Sequence, residues 1–78
     1  MSADNINYAE GLNNIGEVYN LKGEYANALK YLEEALLLKH KVIGKYDFDC
    51  TTTLRNIGYD YNKLGNKEKS VKYYMEAE

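Results

Sequence analysis

At 78 residues the chain has room for one small domain, and a domain of this size buries a smaller share of its surface than a longer one, so stabilisation from repetition, capping or association is expected. With 45% apolar and 28% charged residues it falls among soluble globular sequences and outside the range of disordered tails. A net charge of −2 without a dominant Lys/Arg cluster excludes a nucleic-acid surface, and the longest apolar run, Ala35 to Leu38, is far short of the roughly 20 residues a membrane helix requires.

Self-similarity organises the rest. At an offset of 42 residues, Leu12 matches Leu54, Ile15 matches Ile57, Gly16 matches Gly58, Tyr19 matches Tyr61, Gly23 matches Gly65, Tyr31 matches Tyr73, Glu34 matches Glu76 and Ala35 matches Ala77. The matches recur at helical spacing, so a pattern of buried faces and turns is repeated.

In the first helix, Leu12, Ile15 and Tyr19 form one apolar stripe expected to face the core. Gly16 interrupts it at a cost of about 1 kcal/mol relative to Ala, which a close approach to another helix would offset. Leu21-Lys22-Gly23 then ends the helix, with a glycine free to take positive φ. The second helix is predicted from about Glu24 to Val42, with Tyr25, Ala28, Leu29, Leu32, Ala35 and Leu36 inward, Lys39 and Lys41 in the last turn and a stop at Gly44. A short connector follows. Asp47 or Asp49 is the expected cap of a third helix over about Cys50 to Leu64, in which Leu54, Ile57, Gly58 and Tyr61 repeat the first stripe. A fourth helix begins near Lys67. The predicted class is all-α: residues 1–78 as a single domain of two stacked helical hairpins, with repeat one over about 8–43, a connector at 44–49 and repeat two over about 50–78.

The strings Leu-Asn-Asn-Ile-Gly-Glu-Val-Tyr (12–19), Gly-Glu-Tyr-Ala-Asn-Ala-Leu (23–29) and Tyr-Leu-Glu-Glu-Ala-Leu (31–36) resemble the tetratricopeptide repeat family, in particular the 42-residue variety of kinesin light chains. Asp47-Phe48 departs from the His-Pro that this variety often has before the next helix, and repeat two ends just after its last small signature position at Ala77, as a fragment or minimal unit would. The resemblance implies a right-handed α-solenoid fragment whose first and third helices line a concave groove for a peptide or partner helix. Offset from the buried stripe, the groove candidates are Glu10, Asn13, Asn14, Glu17, Asn20 and Leu21 with Thr52, Arg55, Asn56, Tyr59, Asn62 and Lys63. Asn14 and Asn56 are equivalent, and an amide offers a peptide backbone both a donor and an acceptor. The carboxylate-binding version of the family has Lys and Asn where this chain has Asn13 and Glu17, so chaperone-tail binding is not expected.

No catalytic, cofactor or metal role is expected. Cys50 and His40, the only residues of their kinds, have no third orienting group or oxyanion-stabilising turn, and Glu33 and Glu34 point to different helix faces. Tyr19, Tyr31, Tyr61 and Tyr73 repeat with the fold and read as core. The lone cysteine, and residues 1–14 without a signal-peptide core, point to a reducing, cytoplasmic setting. The expected function is non-catalytic protein or peptide binding. The alternative is a self-assembling repeat unit, a homo-oligomer formed by stacking or hairpin exchange through uncapped terminal faces, because solenoids usually need about three repeats or caps.

Overall fold

A computed structural model describes residues 6–43 and 48–77 of the chain. They form four helices, α1 (Ile6–Leu21), α2 (Tyr25–Ile43), α3 (Phe48–Lys63) and α4 (Lys67–Ala77), with no strand among the described residues. The all-α expectation of paired hairpins holds. One boundary differs. α3 starts at Phe48, two residues before the predicted Cys50, so Asp49 falls inside its first turn and is not its N-cap. Phe48 is the repeat counterpart of Ile6, where α1 starts, and both helices are 16 residues long. Gly44 and Asp47, the predicted stop and the other predicted cap, lie outside the described residues.

Both hairpin turns close in the same way. After α1, Gly23 at φ 79° lets its own N–H reach the Asn20 carbonyl at 3.0 Å and the Glu24 N–H reach the Tyr19 carbonyl at 2.9 Å. After α3, Gly65 at φ 88° places Gly65 N–H on Asn62 at 3.1 Å and Asn66 N–H on Tyr61 at 2.8 Å. This double closure satisfies carbonyls that a helix end leaves open, and it needs the left-handed backbone that a glycine adopts without strain. Asn66 then caps α4, its Oδ1 accepting from the Lys69 N–H at 3.1 Å.

α1 packs on α2, α2 on α3 and α3 on α4, while α1 and α3 touch along one side. The continuous core runs through Ala28, Leu32, Leu36, Cys50, Leu54 and Ile57, with Tyr19, Leu29, Tyr61, Tyr73 and Ala77 against it. Counterpart tyrosines stack within each hairpin: Tyr19 on Tyr31 and Tyr61 on Tyr73, both with ring centroids 5.6 Å apart. Tyr61 Oη donates to Glu33 at 2.9 Å, and burial, reinforced by that carboxylate, pushes the Tyr61 hydroxyl up to about 12. The predicted stripe is kept at Leu12, Leu54 and Ile57 but not at Ile15, which is exposed on the free side of α1. Ile57 is covered by α2; no helix among the described residues covers Ile15.

Gly16 in α1 and Gly58 in α3 mark close approaches between helices. A Cβ on Gly16 would lie 2.6 Å from Leu32 Cγ and 3.3 Å from the Ala28 carbonyl oxygen. At Gly58 the neighbours are the Ser70 carbonyl oxygen and the Tyr74 ring, each first met at 3.2 Å. Leu32 is fully enclosed and its Cγ has no room to retreat, whereas Tyr74 has an open side. Gly16→Ala is therefore expected to lower stability in urea denaturation by about 1–3 kcal/mol net of its helix-propensity gain, and Gly58→Ala by less. Equal stability of Gly16→Ala and wild type would show that the helices do not meet there.

Candidate partner-binding groove

The two hairpins are joined by a polar chain as well as by the core. Lys39, predicted to serve the end of its helix, is instead buried, and its Nζ donates to Thr53 Oγ1 on α3 at 3.1 Å. Thr53 Oγ1 donates to Asn13 Oδ1 on α1 at 3.1 Å. Asn13 Nδ2 and Asn56 Nδ2 both donate to Glu17 Oε2 at 3.2 Å, the second of these crossing from α3 to α1. Most buried polar groups in folded proteins are hydrogen-bonded, and a bonded set fixes the register of the helices that carry it.

Above this chain α1 and α3 diverge into a cleft of about 570 Å³ lined by Glu17, Asn20, Leu21, Arg55, Asn56, Tyr59 and Tyr74. Its charged groups are one carboxylate, Glu17, and one guanidinium, Arg55; its apolar surface comes from Leu21, Tyr59 and Tyr74, all exposed. Lys63 lies over the Tyr59 ring at 5.5 Å, and Tyr25 meets the same ring edge-on with centroids 5.9 Å apart. Of the residues singled out from sequence, Glu17, Asn20, Arg55, Asn56 and Tyr59 line this cleft, as does Leu21. Asn13 lies buried beneath it, Asn14, Asn62 and Lys63 are exposed outside its lining, and Thr52 is half-buried. The equivalent asparagines thus differ: Asn56 is held by Glu17, and Asn14 faces outward.

Two residues near the cleft were not among the groove candidates read from sequence. Tyr74 is the counterpart of Leu32 and stands over Gly58 as Leu32 stands over Gly16, so the repeat contained the signal. Asp60 is the counterpart of exposed Val18, which gave no warning that it is wholly buried. Neither Asp60 carboxylate oxygen has a hydrogen-bond partner among the described residues, and the buried Asn20 Oδ1 also lacks one. Burial raises the Asp60 carboxyl to about 7, with the Asn20 side chain offsetting part of the effect. The Tyr25 hydroxyl is raised first by its bond to Tyr59 and further by the Asp60 charge.

A family model for the tetratricopeptide repeat matches residues 7–78. The chain belongs to the tetratricopeptide repeat family. Tetratricopeptide repeats generally mediate protein–protein interaction and are typically non-catalytic. Among curated proteins no sequence matches this chain. Cys50 is fully enclosed in the core, and the described residues contain no group of three His, Cys, Asp or Glu that could hold a metal ion. None of the described helices is long and apolar enough to cross a membrane.

The Asp60 titration has a defined sign. Its folded value of about 7 lies above the ordinary 3.8, so between the two the folded chain holds a proton that the unfolded chain has released. Its contribution to stability is complete below pH 3.8, is lost as pH rises through 7, and does not return. Asp60→Asn should flatten this dependence and, at pH 8, stabilise the fold by about 1–3 kcal/mol through removal of an unpaired buried charge. Thermal melts of both proteins from pH 5 to 8 measure it; parallel curves would contradict the assignment. Thr53→Val should lose about 1–3 kcal/mol in urea denaturation, because it keeps the volume and removes the hydroxyl that links Lys39 to Asn13.

Proposed function

We propose that this tetratricopeptide repeat chain is a non-catalytic interaction module that holds a peptide or a partner helix in the cleft between α1 and α3. The observation that carries the reading is the composition of that cleft. Exposed Leu21, Tyr59 and Tyr74 supply apolar contact beside a fixed acceptor, Glu17, and a fork-shaped donor, Arg55. Asn13 and Asn56 hold Glu17, so a partner meets a wall already ordered, at a smaller entropic cost of binding. The tyrosines provide large contact area for little loss of side-chain freedom. A buried, reduced Cys50 suits a cytoplasmic setting.

The test is selection from a random peptide display library against the immobilised chain, followed by affinity measurement on the cleft variants Arg55→Ala and Tyr59→Ala and on the outward-facing control Lys72→Ala. Selected peptides should bind Arg55→Ala and Tyr59→Ala about tenfold or more weakly, a loss of about 1.4 kcal/mol, and bind the control unchanged. Peptides indifferent to both cleft variants would place the binding surface elsewhere.

A further inference from the structure

The outer helices each keep one apolar face uncovered by any helix among the described residues. On α1 the face carries Ile15 and Val18; on α4 it carries Val71, Tyr74 and Met75, all exposed. The repeat register identifies what such faces meet. Ile15 is 42% exposed and its counterpart Ile57 is 0%; Tyr74 is 38% exposed and its counterpart Leu32 is 0%. Ile57 and Leu32 belong to the one core cluster, formed where α2 seats on α3. The free face of α4 therefore repeats the face that α2 turns to α3, and the free face of α1 repeats the face that α3 turns to α2. We propose that a second copy of this chain binds head to tail, α4 of one copy seated on α1 of the next in the register in which α2 sits on α3.

The side chains that differ between the internal and the proposed contact suit it. Asp60 on the internal face is replaced on α1 by Val18, which removes a buried carboxylate. Glu33, which accepts from Tyr61, is replaced on α4 by Met75, and the residue opposite becomes Tyr19; a thioether packs well against an aromatic ring. Charge selects the direction. Residues 1–38 carry six acids and two bases, residues 39–78 eight bases and six acids. Head-to-tail stacking sets the basic half of one copy toward the acidic half of the next, whereas pairing of like ends would set like charge against like. An interface between unlike faces leaves one of each kind free after every addition, so assembly continues beyond the dimer. One helix on one helix is a small interface, so association is weak and rises with concentration.

Sedimentation velocity from about 10 µM to 1 mM tests the proposal on wild type and on two exposed-face variants, Ile15→Asp and Val71→Asp, whose helicity is checked by circular dichroism. Wild type should rise in average mass to at least twice the 9.0 kDa monomer, without a plateau. Each variant alone should stay monomeric. Their equimolar mixture should form a one-to-one dimer and nothing larger, because one supplies an intact α4 face and the other an intact α1 face. Wild type that is monomeric throughout, a wild-type dimer that grows no further, unimpaired assembly of either variant, or a mixture that forms no dimer would overturn it.

Discussion

The contact of α1 with α2 at Gly16, repeated between α3 and α4 at Gly58, is the constraint on which the remaining geometry depends. A missing Cβ lets Leu32 lie directly against the α1 backbone, and once two helices are that close their side chains must interdigitate in one register. In the first hairpin the gap is filled by a leucine that also enters the core. In the second it is filled by a tyrosine, whose ring reaches into the cleft. One structural position thus serves packing in one repeat and the candidate site in the other.

Between the hairpins, apolar packing is supplemented by the bonds from Lys39 through Thr53 and Asn13 to Glu17 and Asn56. Hydrocarbon surfaces tolerate sliding better than directed hydrogen bonds do, and this chain of bonds holds α1, α2 and α3 at one setting. The setting determines the shape of the cleft directly above it. Asp60 stands apart from these bonds as a buried acceptor without a donor, and its proton affinity links the stability of the same region to pH.

Much of this was legible in the residues. The glycine turns were, because positive φ at Gly23 and Gly65 is a local demand that few other residues meet. Helix number and pairing followed from the repeated stripe, and the small residues Gly16 and Gly58 announced close approach. The groove candidates were legible in part. Spacing placed Glu17, Asn20, Arg55, Asn56 and Tyr59 on one side, but Asn13 sits one step further round and is buried under the cleft. Ile15 was misplaced for a related reason: a stripe shows which face is apolar, and only a neighbouring helix makes it buried.

By itself, then, the sequence determined the helices, their turns and the family, since those rest on interactions within a few residues and on a period that repetition makes visible. Tertiary structure alone decided the fate of individual side chains: Lys39 bound to Thr53, Asp60 enclosed without a donor, Tyr74 in the cleft, Ile15 and Ile57 alike in sequence and opposite in exposure. The physical reason is that burial and hydrogen-bond partnership belong to pairs of elements distant along the chain, and no single helix carries the information about what will lie across from it.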